Sequence, residues 1–201
     1  KALSQYIDLL LDAICVVDKD GRFEFVSAGA ERIFGYTPEE MLGRPMIELV
    51  HPDDRARTLQ TASDINAGAV KVDFENRYIR KDGQTVHLLW SARWSDTDKR
   101  RVAVARDITR SKQIEARQAA IYAISEAAFA SDDLPALYRS IQQIIAALIP
   151  MRCFAIVLPD VSSGQLGFVY TSVSQQTAEH AECDVLALCA EVVRRSETVL
   201  V

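Results

Sequence analysis

The chain has 201 residues, 49% hydrophobic and 25% charged, which is the composition of one or two globular domains and not of a disordered segment. Its net charge of -5 argues against a general nucleic-acid surface, and no apolar run approaches the roughly 20 residues that span a bilayer. Four cysteines without a CxxC pair indicate reduced thiols in a cytoplasmic protein and no zinc site. Because Lys1 is not an initiator methionine, we expect a piece of a longer protein, whose other parts are free to include a membrane anchor.

The chain begins with a predicted amphipathic helix over residues 3–12. Residues 13–18 and 22–27 then read as two strands joined by a tight turn at residues 19–21, so they predict a β-hairpin. Alternation along the second strand places Phe23 and Phe25 on one side of it.

Two helix starts come after the hairpin. Thr37 with Glu40 three residues later is a capping box, and Gly43 is expected to end that short helix. A longer helix is predicted over residues 51–65, with Gly68 as its stop.

Three strands complete this part of the chain. Residues 70–80 and 84–94 flank a Lys-Asp-Gly turn and predict a long antiparallel hairpin, and residues 101–106 supply the last strand. Two strands, small helices and three strands together predict an α+β fold, a five-stranded antiparallel sheet with its helices on one face.

From residue 109 the pattern becomes helical. Ile114, Ile121 and Ala128 are spaced seven residues apart, which fits a short parallel coiled coil as well as a helix packed on its own domain. A second helix begins at residues 132–133 and ends before Pro150.

A smaller set of elements is predicted for the end of the chain. Residues 153–158 and 166–173 read as a hairpin, residues 184–195 as a helix, and residues 198–201 as the start of a strand.

The order and spacing of several short motifs resemble the PAS family over residues 3–109. The motifs are Val16-Val17-Asp18 before Asp20-Gly21, the run from Phe34 to Gly43, His51-Pro52-Asp53-Asp54, Arg77 ahead of Lys81-Asp82-Gly83, and Asp107-Ile108-Thr109. Residues 119–201 resemble the first half of a GAF domain, although Ser196 stands where that family usually carries glycine. The resemblance implies a PAS sensor domain over residues 1–109, a linker helix over 110–130 and a partial GAF-type α/β module over 131–201.

The resemblance also directs the search for a cofactor. Photosensory flavin-binding PAS domains place a reactive cysteine at the position of Met46, and a thioether cannot supply the thiolate of their photocycle. Haem-binding PAS domains use a histidine of the long helix, and residues 53–67 contain none. We therefore expect no cofactor and no metal, while a non-photochemical flavin or a small metabolite stays open.

Alternation along the strands groups their side chains by face, and the resemblance implies which faces point toward the PAS pocket. His87 is out of phase with the residues on those faces. The candidate pocket residues are Cys15, Val17, Asn76, Tyr78, Leu88, Trp90, Ala103 and Ala105. Asn76, Tyr78 and Trp90 would offer polar groups to a ligand; the alternative is that Tyr78 and Trp90 fill the pocket as core.

Neither a nucleophile–base motif nor a phosphate loop is present, so no catalytic residue is expected. The pairs Arg100-Arg101 and Arg194-Arg195 are predicted to be solvated. Asp107, Ile108 and Thr109 are the predicted signal-transmission joint, with Thr109 capping the exit helix and Asp107 contacting the core.

The predicted function is therefore a non-catalytic sensing and dimerisation region. It would form a homodimer through the linker helix and act on a downstream kinase or cyclase domain of the same chain, without contacting nucleic acid or membrane. A flavin- or metabolite-binding redox sensor is the alternative, and a cyclic-nucleotide-binding GAF domain is a third hypothesis.

Overall fold

A computed structural model describes residues 10–131, 133–149, 151, 154–159, 166–172 and 192. Contacts divide the chain into two compact units, Lys1–Ile114 and Glu115–Val201. No helix among the described residues is both long and apolar enough to cross a membrane.

The first unit is built on one antiparallel sheet of five strands. The strands are β1 (Ala13–Val17), β2 (Phe23–Val26), β3 (Lys71–Ile79), β4 (Thr85–Ser95) and β5 (Arg100–Asp107), in the spatial order β2-β1-β5-β4-β3. The last of these five strands, β5, thus lies at the centre of the sheet, between β1 and β4. This placement brings the end of β5 beside β4, which determines how the chain leaves the sheet.

The hairpin of β1 and β2 differs from simple alternation. Val16 pairs with Phe25 and Val17 pairs with Phe23, so Glu24 is an extra residue at a β-bulge. The bulge reverses the phase of the strand: Phe23 is buried, whereas Phe25 is 39% exposed. The prediction that the two rings share one side is therefore wrong.

Short helices cover one face of the sheet. They are α1 (Gly29–Phe34), α2 (Pro38–Met41) and α3 (Arg55–Asn66), with single 3₁₀ turns at Met46–Glu48 and Pro52–Asp54. The predicted capping box is present, because the Glu40 N–H donates to Thr37 Oγ1 and the Thr37 N–H donates to Glu40 Oε2. Gly43 (φ 76°) and Gly68 (φ 102°) take the left-handed conformations expected where α2 and α3 stop.

The core lies between this helical layer and the sheet. Residues of β4 alternate between buried Val86, Leu88, Trp90 and Ala92 and more exposed neighbours such as Ser91. The predicted five-stranded α+β arrangement is confirmed.

A long helix, α4 (Thr109–Ala130), comes directly after β5. Ala120 is the one buried residue of α4. The helix carries exposed apolar side chains at Ile114, Ile121, Tyr122 and Phe129. The predicted helix over residues 3–12 lies mostly outside the described residues, and residues 10–12 are not helical.

The described part of the second unit contains α5 (Leu134–Leu148) and a hairpin of β6 (Ala155–Pro159) and β7 (Leu166–Thr171). Asp133 begins α5, since its carboxylate accepts from the Ala136 N–H at 2.6 Å. The predicted helix over 184–195 and strand over 198–201 lie outside the described residues. The GAF-type assignment of this unit stays a prediction.

Candidate functional site

A cavity of about 50 Å³ lies in the first unit between α3 and the sheet. Its walls are mostly apolar, from Val17 and Phe23 on one hairpin to Phe74 and Trp90 on the other, with Ile65 of α3 opposite them. Helix α3 therefore lies opposite the strands that border the cavity.

The eight residues predicted for this pocket are all buried. Six of them line the cavity, namely Cys15, Val17, Asn76, Tyr78, Trp90 and Ala103. Leu88 and Ala105, both 0% exposed, belong to the adjacent core and are not among the lining residues. His87 is half-buried and does not line the cavity.

The polar side chains inside the cavity satisfy one another. The Trp90 indole N–H donates to Asn76 Oδ1 at 2.9 Å, and Asn76 Nδ2 donates to Thr58 Oγ1 at 3.0 Å. The Thr58 hydroxyl in turn donates to the Asp54 carbonyl at 2.8 Å. This chain of bonds ties β4 and β3 to α3, and it occupies the polar groups of Asn76 and Trp90, two of the three residues that were predicted to serve a ligand.

Aromatic rings fill much of the remaining space. Tyr78 stands between Phe34 and Trp90, with ring centroids 5.5 and 5.4 Å away. The cavity of about 50 Å³ is smaller than the roughly 300–1,000 Å³ that ligand pockets usually enclose. Tyr78 and Trp90 act here as core side chains whose edges border a small remaining space.

The cavity also contains a charged residue that alternation along β5 assigns to the buried face. Arg101 is 4% exposed and lines the cavity, whereas its neighbour Arg100 is exposed and pairs with Glu24. The prediction that both arginines are solvated is wrong for Arg101. It lies two residues before Ala103 on the same strand, so the phase that selected Ala103 also selects Arg101.

Three neighbours hold the Arg101 guanidinium. Nη1 donates to Asn66 Oδ1 at 2.9 Å and more weakly to the Ala62 carbonyl at 3.4 Å, and Nη2 contacts Met46 Sδ at 3.2 Å. Burial lowers the pKa of Arg101 from its usual value, because desolvation disfavours the charged form.

Met46 and Cys15 contribute sulfur atoms to the same cavity. Met46 lies at the cavity wall. Burial raises the pKa of the Cys15 thiol to about 12, so it is a neutral, unreactive group at neutral pH.

The residues of the predicted joint link β4 to α4. The His87 N–H donates to Thr109 Oγ1 at 2.9 Å, and the Ile108 N–H donates to the His87 carbonyl at 2.9 Å. Asp107 Oδ1 accepts from the Thr109 N–H at 2.8 Å. The contacts are the reverse of the predicted ones: Asp107 holds the start of the helix, and Thr109 contacts the sheet.

An ion pair adds a second connection near the joint. Lys112 Nζ of α4 lies 2.8 Å from Glu75 Oε2 of β3. Both groups are partly exposed, so the pair contributes little free energy, but it orients the first turns of α4 against the edge strand.

Part of this chain is similar to known proteins. Residues 23–105 match the family model described as the PAS fold. A domain of the sensory box sensor histidine kinase/response regulator from Geobacter sulfurreducens is 22% identical, over 53% of this chain and 91% of that chain, with a TM-score of 0.48. The PAS domain of an HTR-like protein from Haloarcula marismortui is 27% identical, over 53% of this chain and 95% of that chain, also with a TM-score of 0.48. A PAS domain from Colwellia psychrerythraea is 24% identical, over 55% of this chain and 99% of that chain, with a TM-score of 0.46.

Proposed function

We propose, from the PAS domain formed by residues 23–105, that this chain is a non-catalytic signal-sensing region of a signal-transduction protein. A change in the cavity would pass along β4 to the start of α4 and from there to the rest of the protein. The observation that carries the proposal is that one strand, β4, borders the cavity through Trp90 and hydrogen-bonds the joint through His87.

The spacing along β4 makes this coupling short. Trp90 is three residues from His87, and the ladder of β4 and β5 pairs Trp90 with Ala105 and Leu88 with Asp107. A strand in a hydrogen-bonded ladder moves as a unit, because sliding one residue breaks several backbone bonds together. A displacement of Trp90 is therefore transmitted to both hydrogen bonds that His87 makes with the joint.

Dimerisation through α4 belongs to the same proposal. Ile114 and Ile121 are seven residues apart and are 46% and 67% exposed. Apolar side chains repeated at this spacing are buried when two helices pack side by side. A homodimer would thus let both joints act on one pair of helices, which changes packing as a unit.

The segment after α4 contains α5, β6 and β7 in an order that fits the beginning of a GAF-type module. A kinase or cyclase domain is the output that we propose for the full protein. We also propose a cytoplasmic location for this region, on the basis of its reduced-thiol cysteine usage.

The relay is tested by filling the cavity without any ligand. Ala103→Val adds two methyl groups to the cavity wall, and hydrogen–deuterium exchange of residues 108–112 reports on the joint. We expect altered exchange there in Ala103→Val. The change that Ala103→Val causes should be smaller in a chain that already carries Thr109→Val, because that chain lacks the hydroxyl that accepts from His87 and keeps only the bond between Ile108 and His87. A double-mutant cycle of the two substitutions measures the interaction between them.

Val102→Leu is the matched control, since Val102 precedes Ala103 on β5 but is 38% exposed on the opposite face. Equal changes in Val102→Leu and Ala103→Val would show that the joint responds to any disturbance of β5, and the proposed relay would be rejected. An unchanged joint in Ala103→Val would reject it as well.

A further inference from the structure

Arg101 is a cation buried at the wall of the cavity. It is 4% exposed, and no carboxylate among the described residues lies within ion-pair distance of it. The carboxylate of Asp18 attracts the Arg101 guanidinium from beyond ion-pair distance. Its Oδ1 atom accepts hydrogen bonds from the Asp20 and Arg22 N–H groups at 2.9 and 2.8 Å. Asp18 therefore serves the turn between β1 and β2.

The partners that Arg101 does have are weak for a guanidinium. Five N–H groups are available on this side chain, and they meet an amide oxygen, a distant carbonyl and a thioether sulfur. A thioether is a weak acceptor, and a buried charge is costly unless an opposite charge accompanies it. The cavity side of the guanidinium thus has unused capacity for a strong acceptor.

The rest of the cavity restricts what that acceptor can be. Tyr78, whose side chain carries a hydroxyl, lines the same space. The walls at Val17, Phe23 and Phe74 are apolar. A ligand that fits therefore combines one small anionic group with a short apolar body.

We infer that this cavity binds a short-chain monocarboxylate, with its carboxylate on the Arg101 guanidinium and its alkyl group among the apolar walls. Arginine holds carboxylates through paired N–H donors, which explains the residue type at this position. One water molecule needs a cavity volume of about 10–15 Å³. The cavity of about 50 Å³ therefore holds roughly three to five non-hydrogen atoms, which is the size of acetate or propionate. The inference rests on the proposed sensing function and names the chemistry of its signal.

The test is a titration of the 201-residue chain with sodium propionate, monitored by amide NMR and by thermal unfolding. We expect saturable shifts at residues of β5 and α3 and a rise in melting temperature with concentration. Propionamide, which has the same shape without the charge, is expected to bind about tenfold more weakly or not at all. Sodium phosphate at matched ionic strength separates a carboxylate site from a general anion site.

Two variants locate the site. Arg101→Met keeps an unbranched, flexible side chain without the charge and is expected to abolish propionate binding, while Arg100→Met on the exposed neighbouring position leaves it unchanged. Ala103→Val keeps Arg101 and occupies the cavity, so it is expected to weaken binding about tenfold or more, and it decides the question if Arg101→Met fails to fold.

Binding that survives Ala103→Val, or equal responses to propionate and propionamide, would overturn the inference. A phosphate response equal to that of propionate would do the same, because it would show no preference for a carboxylate with an apolar body. Absence of any response to propionate also overturns it, yet leaves the proposed relay standing, because the exchange experiment on Ala103→Val uses no ligand.

Discussion

Asp54 shows how single residues hold this fold. Its carboxylate accepts from Arg77 Nε and Nη2 at 3.0 Å each and from the Arg77 N–H at 2.8 Å, and the side chain is 11% exposed. These bonds favour the ionised form, so they lower the pKa of Asp54 from 3.8 to about 2. The pair joins the 3₁₀ turn before α3 to β3, and so fixes one side of the layer that encloses the cavity.

The first prediction comes from this depressed pKa. The stabilisation, about 2 kcal/mol, is fully present above the ordinary pKa of Asp54 and is lost as the pH falls from about 4 through about 2. Asp54→Asn should therefore lower the free energy of unfolding by about this amount at pH 7, and the difference from the wild type should shrink near pH 2. Urea unfolding monitored by fluorescence measures it, because both tryptophans, Trp90 and Trp94, lie on β4 in the first unit.

Asp64→Asn is a suitable control, since the Asp64 carboxylate accepts from the side chain of Gln60 on the exposed side of α3. A gap between Asp54→Asn and wild type that stayed constant from pH 7 to pH 2 would contradict the role given to the Asp54 carboxylate.

At the same scale, the sequence predicted the cavity residues better than their partners. The two-residue period of the strands correctly placed Cys15, Asn76 and Trp90 on the buried face. The same period places Arg101 on the buried face, but its side chain was predicted to be solvated because arginine is charged. Burial of an arginine depends on what surrounds it in three dimensions, here Asn66 and Met46, and periodicity does not show those neighbours.

Among the elements, those with local signals were predicted most closely. The start of α2 depends on Thr37 and Glu40, three residues apart, so short-range chemistry determines it. The β1–β2 hairpin was predicted, whereas its bulge at Glu24 was missed because the bulge arises from pairing across the hairpin. The reversed contacts of Asp107 and Thr109 have the same origin, since the Thr109 hydroxyl bonds β4, a strand distant in sequence.

The joint gives the second prediction. Because Asp107 Oδ1 accepts from the Thr109 N–H, Asp107→Ala should free the first turn of α4 at a cost of about 1 kcal/mol. Exchange of the amides of residues 109–112 should accelerate, while Asp107→Asn, which keeps an acceptor oxygen, should stay close to the wild type. The tryptophan fluorescence transition of the first unit should move little in either variant.

An alternative outcome for the joint is equally clear. If Asp107→Ala and Asp107→Asn accelerated exchange equally, the negative charge near the helix start, and not the hydrogen bond to Thr109, would be the stabilising interaction. Unchanged exchange in Asp107→Ala would show that Thr109 and Ile108 hold the start of α4 through β4 alone.

For the whole molecule, the third prediction concerns self-association. Helix α4 exposes Ile114, Ile121 and Phe129, whose side chains are 46%, 67% and 93% accessible. An exposed apolar surface of this kind is typical of a site of protein association. If two copies pack along Ile114 and Ile121, Ile121→Glu places a charge at the contact in both chains and should raise the dimer dissociation constant by about tenfold or more. Analytical ultracentrifugation across a concentration series measures this constant directly.

The control is Ala119→Glu, because two residues along a helix of about 3.6 residues per turn place position 119 about 200° from Ile121. It adds the same charge to the same exposed helix and should leave association unchanged. A chain that sediments as a monomer at every concentration, or two variants that weaken association equally, would show that the seven-residue stripe of α4 is not the dimer contact. The relay from β4 into α4 would then have to act within one chain.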